Sequence, residues 1–391
     1  MSADHVLPAG VLEEVAGLLS THFDRAVIVV AQEYVKSGRT SVFRLTLGGA
    51  PVETAICRYG GREETLWNEL AGMRFLAQLP RPPATVPTFY AGGPVGTDKA
   101  VVLSRDIGTS PDLAEILLRG TAEQARAGLE GWVDALLEVH LATFGHRAAH
   151  DAVRAEYDPP RSFTELLSDG GFARLAEAFA KLGIGPLPAG FAEAVAWVDA
   201  QLAPDDRWWA FTVADCCPDN NQVGPDGRVT LFDLEFAGCR HALLDLSYVR
   251  TFMPTCWCLR RLPDELSSQL VARYRDRLLA ARPELDEDEF EAGFAASQAF
   301  WAITTAGFQL ERTLTDPKAG ERLYFEGVDF AVAAPAEVVR LRIAHLTRLA
   351  AERKELAPLG ELADLIAGQL EKRWPAIDLL PLYPAFDAPQ V

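Results

Sequence analysis

Lysine is scarce in this sequence. Its 391 residues contain 37 basic and 55 acidic side chains, which gives a net charge of −18. Six of the basic residues are lysines, and none lies between Lys36 and Lys99. The acidic balance argues against a nucleic-acid partner, because such affinity comes largely from lysine and arginine side chains that neutralise phosphates. A small anionic ligand is not excluded, since it needs only a local cluster of positive charge.

Long apolar runs are also missing. No stretch of about 18 apolar residues occurs, so we expect no membrane-spanning helix and no membrane partner. The start from Met1 to His5 lacks a basic region followed by an apolar one, which argues against a secretory signal. Six cysteines are few for this length, and we expect reduced thiols in a cytoplasmic protein.

Several common functional motifs are absent as well. The sequence contains no Gly-x-x-x-x-Gly-Lys-Ser/Thr, no Gly-x-Gly-x-x-Gly and no Gly-x-Ser-x-Gly, which removes the Walker, Rossmann and common hydrolase sites. A thiolate metal site built from Cys216, Cys217, Cys256 and Cys258 is disfavoured, because structural zinc sites use Cys-x₂₋₄-Cys spacing. Buried free cysteines are the simpler interpretation.

The elements that are present divide into a strand-rich beginning and a helix-rich remainder. Residues 40–47 alternate in polarity and precede a second apolar run, residues 52–59, across a Gly48–Gly49 turn, which predicts an antiparallel hairpin. Residues 63–79 then have apolar side chains at helical spacing. Two more strands are predicted at residues 86–91 and 100–104.

Helical periodicity dominates from Pro111 onward. The predicted helices cover residues 112–118, 121–143, 162–182, 192–202, 265–281, 287–313, 335–355 and 359–374. A polar strand-and-loop island at residues 209–236 interrupts them. We therefore predict an α+β protein with an N-lobe over residues 1–105 and a C-lobe over residues 106–391.

The polar island carries residues suited to phosphoryl transfer. Asp215 is followed by Asn220 five residues later, and Asp233 ends an apolar strand thirteen residues beyond that. Transfer of a γ-phosphoryl group needs an acceptor for the hydroxyl proton and oxygen ligands for Mg²⁺. Protein kinases take these groups from an Asp, an Asn and a later Asp in the same order and spacing.

At these residues the sequence resembles the aminoglycoside phosphotransferase and choline kinase-like branch of the protein kinase-like fold. In that branch the loop reads roughly His-Gly-Asp-x-x-Pro-x-Asn, and a later strand ends in Asp-x-Glu or Asp-Trp-Glu. Asp215, Pro218, Asn220, Asp233 and Glu235 fall into this register. The resemblance implies a bilobal fold with a small antiparallel N-lobe sheet. It also implies ATP as phosphate donor, Asp215 as general base, and Asn220 and Asp233 as ligands of Mg²⁺.

The sequence departs from that family at the catalytic loop and on the third strand. Val213 stands where the loop has its orienting His, and Ala214 stands where it has Gly. On the third strand, Cys57 aligns with the lysine that contacts the α- and β-phosphates. The helix acid that pairs with this lysine is represented by Glu69.

Two arginines are candidates for the missing cation. Arg58 is adjacent to Cys57, but neighbouring strand residues face opposite sides, so it would point away unless a bulge intervenes. Arg44 on the preceding strand is the other candidate, and arginine binds phosphate well. Either residue is alternatively a solvated sheet residue.

The resemblance assigns two further segments to the nucleotide. Ser37 and Gly38 belong to the loop expected over the phosphates, and Ser104 and Arg105 belong to the linker expected to hold the adenine.

Two functions follow from these observations. The first is an ATP- and Mg²⁺-dependent phosphotransferase that acts on a hydroxyl of a small molecule or of a Ser/Thr in a peptide. The second is a pseudokinase that binds a peptide, a protein partner or a nucleotide without phosphoryl transfer, as in peptide natural-product tailoring. The missing lysine and histidine motivate the second hypothesis.

Overall fold

The computed structural model describes residues 6–37, 40–61, 65–157, 163–324 and 330–387. Within this part of the chain, a five-stranded antiparallel sheet and two helices form a first region, here called the sheet region. Its strands have the spatial order β1-β2-β3-β5-β4. Their bounds are β1 Ile28–Ser37, β2 Ser41–Gly48, β3 Thr54–Gly61, β4 Phe89–Val95 and β5 Lys99–Arg105.

The two faces of this sheet have different neighbours. Helix α1 (Ala9–Phe23) covers one face through Val11, Val15 and Leu19. The strand residues buried on that face are Phe43, Leu45, Leu47, Ala55, Cys57, Val101 and Leu103. Helix α2 (Leu66–Ala77) packs on the other side, which opens onto the rest of the molecule. Strand alternation therefore decides which side chains reach the interior of the protein.

The remainder of the described chain is mainly helical and is here called the helical region. Its longer helices are α3 Leu113–Arg119, α4 Ala122–Thr143, α5 Arg147–Tyr157, α6 Phe163–Leu182, α7 Phe191–Gln201, α9 Asp264–Ala281, α10 Glu287–Thr315, α11 Pro335–Glu352 and α12 Ala357–Arg373. Two single-turn helices complete it, α8 Leu243–Leu246 and α13 Pro384–Asp387. The long apolar helix α10 lies at its centre and contacts α6, α7 and α11.

Two small antiparallel ribbons interrupt the helices where the polar island was predicted. One pairs β6 (Trp209–Thr212) with β9 (Gly238–His241), and the other pairs β7 (Asn221–Val223) with β8 (Val229–Leu231). Asp215 follows β6, and Asp233 follows β8. The two ribbons thus hold the predicted catalytic and metal-binding residues between them.

The predicted α+β class is confirmed, but four helices were not predicted: α1, α5 and the single-turn helices α8 and α13. Helix α1 carries Val11, Val15 and Leu19 at four-residue intervals, although the beginning of the chain was interpreted as strand-rich. Helix α5 is strongly amphipathic and short. The other predicted helices are present with ends shifted by a few residues. In the described ranges, no helix combines the length and the apolarity that crossing a membrane requires.

Candidate active site

A cavity of about 300 Å³ lies between the sheet region and the helical region. Its upper wall is the α2-facing side of the sheet, with Val42, Ile56 and Arg58. Its lower wall includes Asp219 and Asp233. This volume is at the low end of the range for small-molecule pockets.

Arg58 is the cation at the back of this cavity. Its Nη1 lies 3.0 Å from Glu69 Oε2 on α2, and its Nη2 lies 2.7 Å from Asp233 Oδ1. The same Nη2 donates a hydrogen bond to Thr40 Oγ1 at 3.3 Å. One planar guanidinium therefore joins the sheet, the helix and the end of the polar island.

The expectation that Cys57 takes the lysine position is wrong. In the continuous β2–β3 register, Cys57 pairs with Phe43 on the α1 side of the sheet, whereas Arg58 pairs with Val42 on the cavity side. Cys57 is fully buried among apolar side chains. No bulge is needed to turn Arg58 inward, because the sequence alignment was one residue out of phase with the pleat.

More negative than positive charge surrounds Arg58. Burial raises the pKa of Glu69, and the carboxylates of Asp233 and Glu235 raise it further, against the lowering effect of Arg58. Burial lowers the pKa of Arg58, but the carboxylates of Glu69 and Asp233 outweigh it, and the net shift is upward. Three carboxylates thus share one guanidinium, which leaves this corner attractive to a further cation.

Helix α2 is fastened to the Asp233 segment by two more contacts. Asn68 Nδ2 donates to the backbone oxygens of Glu235 at 3.0 Å and of Ala237 at 2.8 Å. Thr65 donates its hydroxyl to Glu235. The position of Glu69 is therefore tied to the position of Asp233.

Arg44 lies on the same side of the sheet but serves a different part of the cavity. Its Nε donates to Asp106 Oδ2 at 2.6 Å, and its Nη1 lies 3.3 Å from Glu33. Ser104, Arg105 and Asp106 line the cavity, and contact of this segment with an adenine stays a prediction. Of the two candidate arginines, Arg58 is the one that contacts Glu69.

Asp215 lies in the loop after β6 and accepts a hydrogen bond on each carboxylate oxygen. Asn220 Nδ2 donates to Oδ2 at 3.2 Å and to the backbone oxygen of Asp215 at 3.1 Å. Thr255 Oγ1 donates to Oδ1 at 2.5 Å. Burial raises the pKa of Asp215 to about 6, and Asp219 and Asp233 add to the rise, while Thr255 and Asn220 oppose it.

The backbone before Asp215 is held in place by the side chain of Asp245. This fully buried carboxylate accepts hydrogen bonds from the amides of Val213 at 2.8 Å and Ala214 at 3.2 Å. His140 is also fully buried and lies 3.3 Å from Asp245, so it belongs to the core. Ala214 has φ = 64°, a conformation that favours glycine.

Asn220 and Asp233 offer the oxygen ligands that Mg²⁺ prefers. Because the Asn220 amide nitrogen binds Asp215, its carbonyl oxygen is left for a cation. Asp233 uses one oxygen for Arg58, and a carboxylate has a second. The Phe232 amide donates to the Asn220 backbone oxygen at 3.0 Å, which brings the two segments together. The donor chemistry and the local excess of negative charge fit a hard divalent cation.

The expectation of six reduced cysteines is wrong for one pair. Cys217 and Cys256 form a disulfide with a Cα–Cα distance of 5.4 Å, across 39 residues of sequence. Cys57, Cys216, Cys239 and Cys258 are free. In the described part of the chain, one group of three side chains of metal-ligating type lies close together, namely Asp215, Cys217 and Cys256. Both sulfur atoms of this group are used in the disulfide.

The phosphate loop is only partly described. Ser37 ends β1, and Gly38 lies outside the described residues. Sequence reasoning missed Thr255 and Tyr248. No spacing rule points to them, because they reach the Asp215 loop through the tertiary structure.

One family model matches the chain. It is described as the "Phosphotransferase enzyme family" and covers residues 32–287, which is more than half of the sequence. No curated protein sequence matches the chain.

Three solved structures are similar over most of their length. A Ralstonia eutropha JMP134 protein designated an aminoglycoside phosphotransferase is 15% identical, with 92% of this chain and 97% of that chain covered and a TM-score of 0.49. A thermostable mutant of aminoglycoside phosphotransferase APH(4)-Ia, in a ternary complex with ADP and hygromycin B, is 13% identical (91% and 98% covered, TM-score 0.43). Amicoumacin kinase hAmiN, with AMP-PNP, Ca²⁺ and Ami, is 11% identical (80% and 87% covered, TM-score 0.45). Similarity at this level carries no functional argument.

Proposed function

The chain belongs to the phosphotransferase enzyme family, and from this premise we propose that it transfers the γ-phosphoryl group of ATP to a hydroxyl group of a small molecule. The observation that carries the proposal is the position of Arg58. It pairs with Glu69 and Asp233 inside the interlobe cavity. The sequence lacks a lysine there, and the arginine supplies a cation to the same corner.

The nucleotide is proposed to lie in the cavity of about 300 Å³. Its base would contact the backbone near Ser104 and Arg105, and its α- and β-phosphates would face Arg58. Glu69 keeps the guanidinium oriented, and arginine presents paired N–H donors that suit phosphate oxygens. Asp233 is already in contact with Arg58 and lies beside the phosphates in this arrangement.

Asp215 is proposed to accept the proton of the acceptor hydroxyl. The acceptor oxygen forms a bond to the γ-phosphorus as the bond from that phosphorus to the bridging oxygen breaks, and ADP leaves. With a pKa of about 6, Asp215 is mostly ionised at pH 7.5 and able to take the proton. Asn220 and Thr255 hold its two oxygens in place.

Mg²⁺ would be held by Asn220 and Asp233, and when bound it neutralises charge on the β- and γ-phosphates. The protein residues contribute mainly position and charge, which supply most of the rate acceleration in phosphoryl transfer. A Ser/Thr in a peptide is the alternative acceptor.

One observation favours the second hypothesis, a pseudokinase. Arg58 Nη2 lies 2.7 Å from Asp233, so one oxygen of the proposed cation ligand is already engaged by a protein charge. If the second oxygen does not hold Mg²⁺, the chain binds nucleotide without transferring phosphate.

The two functions are separated by a binding and transfer experiment. We expect ATP with Mg²⁺ to raise the melting temperature of the protein more than either alone, because binding to the native state stabilises it. We also expect phosphate transfer from γ-labelled ATP to at least one compound in a panel of hydroxyl-bearing small molecules and Ser/Thr peptides. Asp215→Asn should lower the transfer rate by about 10²- to 10⁴-fold.

The matched control is Asp226→Asn, which makes the same change in the exposed β7–β8 turn. It should leave binding and transfer unchanged. The absence of any nucleotide-dependent shift would refute the nucleotide site and the proposed function. A magnesium-dependent shift without transfer to any compound would assign the chain as a pseudokinase.

A further inference from the structure

Thr255 reaches the proposed general base from outside the catalytic loop. We propose that Thr255 is a positioning residue for Asp215, which holds the Oδ1 side of its carboxylate in place. The inference deepens the proposed function and rests on it, since it assigns a role to Thr255 in the same reaction. Nothing in the catalytic loop itself supplies this contact.

The first argument is the geometry of the carboxylate. Thr255 Oγ1 lies 2.5 Å from Asp215 Oδ1, and Asn220 Nδ2 lies 3.2 Å from Oδ2. One donor on each oxygen fixes the plane of the group. Val213, which stands at the position of the family's orienting His, is buried and has no polar side-chain atom.

The second argument is the count of hydroxyl protons. Tyr248 donates its single proton to the backbone oxygen of Ala214 at 2.5 Å, and its oxygen lies 3.1 Å from Thr255 Oγ1. Because the Tyr248 proton is already used, the hydroxyl proton of Thr255 is free for Asp215 Oδ1, which is the nearer of these two oxygens.

The third argument is that the segment carrying Thr255 is held in an uncommon conformation. Phe252 and Met253 have φ values of 56° and 52°, which L-residues adopt at a cost. The Met253 amide donates to the Tyr248 backbone oxygen at 3.1 Å. Cys256 is joined to Cys217 of the catalytic loop by the disulfide. Strain of this kind persists where surrounding contacts over-determine the backbone, often at functional sites.

The test compares Thr255→Val, which keeps the shape and removes the hydroxyl, with Thr255→Ser, which keeps the hydroxyl. The control is Thr347→Val on α11, where the lost hydroxyl binds the Ile343 backbone oxygen. In the transfer assay with MgATP and the acceptor found in the panel, Thr255→Val should lower kcat about tenfold and leave the KM for ATP unchanged. Thr255→Ser should restore most of kcat.

The split between kcat and KM, together with rescue by serine, separates positioning from a merely structural effect. Unchanged kcat in Thr255→Val would overturn the proposal. Phosphate found on Thr255 by mass spectrometry after incubation with MgATP would also overturn it, since Thr255 would then be an acceptor.

A measurement without turnover keeps this test independent of the proposed function. In urea unfolding at pH 7.5, Thr255→Val should raise the unfolding constant about tenfold more in the wild-type background than in an Asp215→Asn background. Equal factors in the two backgrounds would overturn the contact. Inactivity of the wild-type protein toward every compound would instead count against the proposed function alone.

Discussion

The two corners of the candidate site depart from the family pattern in different ways. In the phosphate corner, formed by Arg58, Glu69 and Asp233, one residue of the sheet is proposed to take over the role of a missing lysine. In the base corner, formed by Asp215, Asn220 and Thr255, the missing histidine has no substitute nearby in sequence. Its place as an orienting donor is proposed to fall to Thr255, 40 residues after Asp215.

The difference reflects how each corner is built. The phosphate corner belongs to a regular sheet, where the pleat offers an inward position at every second residue. A cation on a neighbouring strand, or two residues along the same strand, can therefore face the same side of the sheet. The base corner is a loop whose amides are held by Asp245, and a new orienting group has to come from another segment. That segment is then secured by the Cys217–Cys256 disulfide.

The largest loss of stability is expected when the cation of the phosphate corner is removed. Arg58→Met leaves buried Glu69 and Asp233 without their partner, and we expect a loss of about 3–5 kcal/mol in the free energy of unfolding. Arg58→Lys keeps the positive charge but lacks the planar pair of N–H donors. The loss in the free energy of unfolding should therefore be smaller than for Arg58→Met. Urea unfolding at pH 7.5 measures both.

Arg44→Met is the matched control for this change. Arg44 is more exposed and pairs with Asp106 at the edge of the cavity, so we expect a loss of about 1 kcal/mol or less. Equal losses for the two arginines would show that the ion pairs of Arg58 contribute no more to stability than the ion pair of Arg44 and Asp106.

The disulfide provides the corresponding test of the base corner. Replacing both Cys217 and Cys256 with serine frees a loop of 39 residues in the unfolded chain. The chain-entropy relation gives a loss of up to about 4 kcal/mol in the free energy of unfolding. The measurement is urea unfolding of both proteins with and without dithiothreitol.

The control is Cys239→Ser, which changes a free cysteine. Its free energy of unfolding should differ little from that of the wild type. A wild-type unfolding curve that dithiothreitol does not move would contradict the assigned bond.

The pH dependence of activity tests the base corner separately from the phosphate corner, because the base corner carries the titrating group. Asp215 with a pKa of about 6 must be ionised to accept a proton, so kcat/KM should fall about tenfold per unit below pH 6. The same raised pKa means that the folded state favours the protonated form. Its contribution to stability is present at low pH and is lost as pH rises from about 4 to about 6.

Rate measurements from pH 5 to pH 8 test the first expectation, and unfolding of Asp215→Asn against wild type tests the second. An acid limb near pH 4 would show an ordinary carboxylate at this position.

The smallest expected effect concerns the backbone of the base corner. Ala214 has φ = 64°, so Ala214→Gly restores the family residue and relieves a left-handed conformation. We expect a gain of about 0.5–1 kcal/mol in the free energy of unfolding. Ala242→Gly, at φ = −57°, should instead lose about 1 kcal/mol. Thermal unfolding distinguishes the signs, and a loss at both positions would contradict the strain argument.

Much of the fold was predictable because periodicity is a local property. The helices α2 to α4, α6, α7 and α9 to α12 follow apolar spacing, and the β2–β3 hairpin follows alternation across a glycine turn. Helix α1 was missed because the beginning of the chain was interpreted as strand-rich, despite the four-residue spacing of Val11, Val15 and Leu19. The division at residue 105 stays a prediction.

The candidate site was predictable where a motif is contiguous. Asp215, Asn220, Asp233 and Glu69 were all chosen from the sequence, and the structure brings Glu69 and Asp233 onto Arg58. Their catalytic and metal-binding roles stay predictions. The choice between Arg44 and Arg58 was out of reach, since it depended on a register shift of one residue.

The sequence by itself determined the order of elements, the Asp–Asn–Asp spacing and the absence of a lysine from residue 37 to residue 98. The tertiary structure decided which arginine faces Glu69, which threonine reaches Asp215 and which cysteines pair. The physical reason is that periodicity and spacing are written along the chain. Glu69 and Asp233 meet Arg58, Thr255 meets Asp215 and Cys256 meets Cys217 across 11 to 175 residues of sequence, so these contacts exist only in the folded chain.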